Sequence, residues 1–281
     1  MVIKKSNNVF SIFLNLSLTV LILSEFSYAQ DSLKIHFLHH STGANLITQG
    51  NIYDMFEQYD MDCNTNYIFS DEWSTPSGNY PYDYYIDTFS PERLAEYTSA
   101  YNVIIFKHCY PASDIAADTG EPDINSSRKS LENYKLQYRA LRDRFDSYPD
   151  NKFLVMTIPP RHRMATTAEK AARAIEFVQW VNEEFLNEDG NKHNNIGIFD
   201  FHVLLADSNG YLKYEYEINH NVSDSHPNQL ANETICPIFF DAIIDFCQNP
   251  TVVPVELIAF NANIQNRYVK LNWATSTEIN N

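Results

Sequence analysis

The chain has 281 residues, 44% hydrophobic and 14% aromatic, which suffices for one sizeable core and a small appendage. Its formal net charge of −16 argues against nucleic acid and anionic membrane as partners, since both are held by clustered Lys and Arg. Four cysteines, Cys63, Cys109, Cys236 and Cys247, have no metal-type spacing and leave three disulfide pairings open.

Residues 1–29 read as a signal peptide. Lys4 and Lys5 form a positive start, Val9 to Ile22 is mostly apolar, and Ser27-Tyr28-Ala29 places small residues for cleavage after Ala29. No later apolar run is long enough for a membrane span, so the expectation is export of a soluble protein.

Residues 30–250 alternate strand and helix patterns. Strands are expected at Lys34–His39, Asn64–Phe69, Asn102–Lys107, Lys152–Ile158 and Ile196–Phe201. Near-continuous apolar runs of this length suit parallel strands covered on both faces. Helices are expected at Ile47–Gln58, at Pro91–Ser99 with Ser90 as cap, at Ser126–Tyr148, at Thr167–Leu186, and at Pro227–Cys247 with a kink or restart at Pro237. The expected fold is a three-layer α/β/α, doubly wound parallel sheet of about five strands, flavodoxin-like. The tyrosine-crowded stretch Gly78–Tyr85 reads as a loop after the second strand, either an aromatic wall for a sugar or acyl group or a loop packing its own rings.

In residues 251–281, Val252–Phe260 and Val269–Trp273 alternate in strand style, and two strands do not make an independent fold. The run Pro-Val-Glu-Leu…Phe…Leu-Asn-Trp…Thr-Glu-Ile-Asn-Asn resembles the opening of the β-sandwich near the C-terminus of proteins exported by the Bacteroidetes type IX system. That resemblance implies a linker and the start of a sorting region, and so cell-surface export.

Two stretches carry the chemistry. His39-His40-Ser41-Thr42-Gly43 ends the first strand in small residues, and Ser223-Asp224-Ser225-His226-Pro227-Asn228 precedes the last helix. Serine needs a base to take its proton, and a histidine base needs an acceptor on its other nitrogen. Ser41, His226 and Asp224 are the residue types required. In a doubly wound sheet both stretches lie at the carboxyl edge, where ligands bind.

In this layout the chain resembles the SGNH (GDSL-like) hydrolases over about residues 33–248, with specific motifs only at the two ends. The resemblance implies Ser41 as nucleophile, His226 as base, and Asp224 orienting it in an acyl-enzyme mechanism. It implies cleavage of carboxylic esters, O-acetyl groups on carbohydrate among them, on a small-molecule or polysaccharide substrate, with no cofactor and no metal. The sequence departs from the family: His39-His40-Ser41 replaces Gly-Asp-Ser, and Asp224 lies two residues before His226 rather than three. For the oxyanion donors that the family takes from later loops, Gly78 is the first candidate. No Gly-x-Asn follows the third strand, where His108 and Ser113 are the substitutes. Arg161 or Arg163, after the fourth strand, and Lys107 are candidates for binding a carboxylate or phosphate. Two other readings stay open. One is a non-catalytic carbohydrate- or surface-binding module on the same fold. The other is a metal-dependent hydrolase using His39 or His40 with Asp224 and His226, although adjacent histidines are poor metal spacing. The sequence does not choose an oligomeric state.

Overall fold

In the computed structural model, residues 32–74, 79–248, 257–265 and 268–275 are described, the last two segments in their backbone. The proposed signal peptide and Gly78 lie outside the described residues.

Five strands form one parallel sheet: β1 (Leu33–His39), β2 (Tyr67–Trp73), β3 (Val103–Lys107), β4 (Lys152–Met156) and β5 (Ile196–Phe199). Their order is β2-β1-β3-β4-β5. Phe37 pairs with Ile105, Ile105 with Leu154, and Leu154 with Gly197, so the central strands are in step. Alternate residues of each strand point to opposite faces, and both faces are apolar. On one face Leu38, Ile104, Phe106, Phe153 and Val155 are buried with Leu94, Tyr138, Phe145, Phe177 and Trp180. On the other, Ile35, Phe37, Ile105, Leu154 and Met156 are buried with Leu46, Phe56, Ile235, Phe239 and Ile243. These partners come from α1 (Ser41–Gly50), α2 (Ile52–Cys63), α3 (Pro91–Ala100), α4 (Leu131–Asp146), α5 (Ala168–Glu183) and, after the short α6 (Phe201–Leu205), α7 (Gln229–Gln248). The expected three-layer α/β/α fold is therefore present. The order places the topological switch between β1 and β3, the position whose carboxyl ends take ligands in open α/β sheets.

Several boundaries differ from expectation for identifiable reasons. The single helix expected at Ile47–Gln58 is two, because Asn51 (φ 61°) is left-handed and ends α1, a conformation asparagine tolerates. Asn64 (φ 51°) does the same after α2, which delays β2 to Tyr67. As an edge strand, β2 then runs through Ser70, Asp71 and Glu72 without needing apolar residues. Helix α4 starts only at Leu131, after Ser130. Helix α7 runs unbroken through Pro237. Pro237 and Glu233, whose carbonyl it leaves unpaired, are both exposed, so water can take the lost bond.

The tyrosine segment is less of a loop than expected. It makes a helical turn at Pro81–Asp83 and a wider turn at Tyr84–Thr88. Tyr84 is fully buried, its hydroxyl donating to the Lys107 carbonyl (2.9 Å) and lying 2.8 Å from Ser74 Oγ. It is a core tie rather than a substrate wall. All four cysteines are free thiols. No described helix is long and apolar enough to cross a membrane. Near the C-terminus β6 (Leu257–Gln265) and β7 (Tyr268–Thr275) pair as an antiparallel hairpin.

Candidate active site

Ser41 is the first residue of α1, directly after the buried end of β1. The close seat of this helix on its own strand requires glycine at position 43. A Cβ there would stand 2.4 Å from His39 Cβ, inside any real contact distance. Gly50 makes the same kind of approach at the far end of α1, where a Cβ would meet Cys236 Cβ at 2.3 Å. Gly43→Ala is expected to lift the start of α1 and misplace Ser41. The protein should lose about 1–3 kcal/mol of stability by denaturant melting, as overpacked sites do. Any Ser41-dependent activity should fall by a larger factor than stability alone explains.

The neighbouring histidines are occupied elsewhere. His39 is buried, with Nε2 3.0 Å from Asp71 Oδ2 and Nδ1 2.9 Å from the His40 carbonyl. His40 Nε2 lies 2.8 Å from Ser74 Oγ. Among the described residues, no group of three His, Cys, Asp or Glu side chains is arranged to hold a metal ion.

The imidazole that meets Ser41 comes from 185 residues further along the chain: His226 Nε2 lies 2.8 Å from Ser41 Oγ. His226 Nδ1 lies 2.6 Å from Asp224 Oδ1, and the same oxygen accepts the His226 backbone N–H at 3.0 Å. The two-residue spacing thus closes an Asx turn in which a single carboxylate oxygen holds both backbone and ring. Partial burial pushes the Asp224 carboxyl up, but the hydrogen bonds from His226 outweigh it and the net is below the ordinary value.

This loop is pinned from behind. Ser225 Oγ, buried, accepts the His162 N–H (3.0 Å), tying the loop to the segment after β4. Glu217 bridges Pro227 by backbone pairing, and its fully buried carboxylate meets Arg163 (2.5 Å), His220 (2.7 Å) and His162 (3.2 Å). A buried carboxylate is tolerable only with such partners. The Tyr110 and His226 rings pack edge-to-face, 4.9 Å between centroids.

From β3 comes a second contact with Ser41. Cys109, 2% exposed, places Sγ 3.3 Å from Ser41 Oγ and 3.4 Å from Thr42 Oγ1. Lys107 is fully buried and donates to Thr42 Oγ1. Burial pushes the Lys107 ammonium down to about 8. Burial raises the Cys109 thiol, but the Lys107 charge and hydrogen bonding with Ser41 and Thr42 outweigh this and leave it below its ordinary value.

The remaining sequence-predicted residues are placed differently. Lys107, expected to bind an anion, points into the interior at Thr42. Ser113 is buried and donates its hydroxyl proton to the Pro159 carbonyl (2.5 Å), so it holds two loops together and has no proton for an oxyanion. His108 is buried among Tyr84, Phe106 and Tyr138, and burial drives it far down, leaving it neutral. Its seat is in the aromatic core. Arg161 pairs with Asp114 (3.2 Å), a carboxylate it shares with Lys170 (2.7 Å), so it is held in an ion-pair cluster. Ser41 opens α1, so its own N–H is one of the first-turn donors that have no acceptor within the helix. Sequence reasoning did not find Thr42, Cys109, Tyr110 or Glu217. The one available signal was a lysine closing the otherwise apolar strand Val-Ile-Ile-Phe-Lys.

No family model matches this sequence, and no curated protein matches it. Among solved structures the chain is similar to an acetyl xylan esterase, with TM-score 0.49 and 13% identity over 75% of this chain and 100% of that one. It is also similar to a gut microbial diltiazem-metabolizing enzyme, with TM-score 0.47 and 10% identity over 88% of this chain and 57% of that one. A third likeness is to a carbohydrate esterase whose active site is described as having divergent catalytic and non-catalytic binding functions, with TM-score 0.38 and 12% identity over 76% of this chain and 65% of that one.

Proposed function

We propose that this protein is an exported serine hydrolase of carboxylic esters, of the SGNH type, acting on O-acyl groups such as acetyl groups on carbohydrate. The observation that supports it is the continuous string Ser41 Oγ–His226 Nε2, His226 Nδ1–Asp224 Oδ1 at the carboxyl edge of a parallel sheet. Ser41 Oγ attacks the acyl carbon while His226 Nε2 takes its proton. The bond to the alcohol oxygen breaks, and His226 returns the proton to that alcohol, leaving an acyl-Ser41 ester. Water then attacks the acyl carbon with His226 again as base, and Ser41 leaves with the proton as the carboxylic acid departs. Asp224 holds the imidazole with Nδ1 protonated and Nε2 facing Ser41. The Ser41 N–H, at the positive end of α1, faces the charge that develops on the acyl oxygen. Exposed Trp73, edge-to-face with His40, and Tyr110, edge-to-face with His226, supply aromatic surface beside the neighbours of Ser41.

The test is labelling of the purified protein with a fluorophosphonate, followed by peptide mass analysis. A single phosphonylated residue at Ser41, abolished in His226→Ala, is the expected result. Labelling that is absent, or that persists in His226→Ala at the wild-type rate, would overturn the serine mechanism and favour the binding module.

A further inference from the structure

Ser41 is held from two sides, and only one of them is the His226 side. On the other stands the string Lys107 Nζ, Thr42 Oγ1, Cys109 Sγ, with the sulfur 3.3 Å from Ser41 Oγ. We propose that Lys107, Thr42 and Cys109 are positioning residues that fix the direction of the Ser41 hydroxyl, so that its proton is already aimed at His226. This rests on the serine-hydrolase reading above.

The chemistry of the donors sets the direction. An ammonium has protons to give and no lone pair to receive one. Thr42 Oγ1 must therefore accept from Lys107, and its single proton is left for Cys109 Sγ. The Cys109 S–H is left to point at Ser41 Oγ. With an S–H arriving at its oxygen, Ser41 turns its own O–H to the other available acceptor, His226 Nε2, 2.8 Å away. His226 passes the same polarity on through Nδ1–H to Asp224. The result is one string of hydrogen bonds running from a buried cation to a carboxylate. Bonds that all point one way polarise each other, and burial strengthens them. A thiolate at Cys109 would instead accept from Ser41 and draw its proton from His226, so the productive form is the thiol.

Thr42→Val removes the hydroxyl at nearly constant shape and keeps the backbone N–H. Cys109→Ala removes the thiol, while Cys109→Ser keeps one donor and one acceptor. Hydrolysis of p-nitrophenyl acetate is measured for these variants, with Ser41→Ala alongside and thermal melting of each. Thr42→Val and Cys109→Ala are expected to lower kcat about tenfold, the size of one hydrogen bond, with KM within about twofold. Cys109→Ser is expected to recover most of the loss. Wild-type kcat in both Thr42→Val and Cys109→Ala, with Ser41→Ala inactive, would overturn the string and leave the hydrolase reading standing. A kcat loss in Cys109→Ser equal to that in Cys109→Ala would also overturn it, since packing rather than hydrogen bonding would then be at work. Wild-type activity in Ser41→Ala would overturn both readings.

Discussion

Ser41→Ala and His226→Ala are each expected to lower kcat for an aryl ester by about 10⁵-fold or more, and the double variant to lose no more than either alone. The reason lies in the 2.8 Å contact between Ser41 Oγ and His226 Nε2. A base with no hydroxyl to deprotonate contributes nothing, and a hydroxyl with no base is a weak nucleophile, so the two residues act as a unit. Independent contributions would multiply instead. Steady-state rates for the two single variants and the double variant distinguish these cases. Multiplicative losses would mean that His226 acts on substrate by itself, contrary to the mechanism. Leaving-group chemistry adds a second contrast. p-Nitrophenolate departs without a proton, so only the base role of His226 is exercised with that ester. An alkyl ester also needs His226 as acid, and His226→Ala should lose more on it.

What the sequence makes legible follows from where the determining forces lie. The strands and most helices are written in local apolar periodicity, and both core faces use the residues that this periodicity marks. Ser41, Asp224 and His226 were visible because each sits in a short stretch whose residue types match a chemical need. The resemblance then said that the two stretches meet. Thr42 and Cys109 had no such signal, and Lys107 had only that of a charge closing an apolar strand. A threonine beside a serine and a lone cysteine are unremarkable until β1 and β3 are known to be adjacent with their carboxyl ends level. Tyr84 departs from the expected loop for a related reason: its segment is largely polar and contains Pro81, yet the Lys107 carbonyl on β3 and a Ser74 neighbour draw the ring inside. The break at Asn51 and the continuity through Pro237 turn on backbone and solvent details that composition does not carry. In the first, a left-handed asparagine overrides helical periodicity. In the second, exposure of the freed carbonyl makes a proline tolerable.

Asp224→Asn is expected to cost about 10²–10³-fold in kcat, less than the roughly 10⁴-fold that follows when the amide substitution leaves a triad histidine in the wrong tautomer. The difference comes from the Asx turn. Asp224 Oδ1 accepts both the His226 backbone N–H and the ring Nδ1–H. An asparagine keeps its carbonyl oxygen there, because its NH₂ group would oppose the backbone N–H. The ring tautomer is then preserved, and what is lost is the negative charge that stabilises the imidazolium as Ser41 is deprotonated. Asp224→Ala removes the turn as well and should fall further, toward the His226→Ala level. An Asp224→Asn variant as inactive as His226→Ala would show that the oxygen does not set the tautomer. The same carboxylate has a signature in stability. Its folded pKa lies below the ordinary 3.8. Its contribution is therefore full above that value and is lost as pH falls through the folded one. The stability advantage of wild type over Asp224→Asn should accordingly be flat near neutrality and shrink in acid below 3.8, as read by denaturant melts across pH. Because the kinetic loss at neutral pH and the stability loss in acid report the same oxygen through different observables, agreement between them would locate the charge at Asp224 itself and not at the buried Glu217 behind the loop.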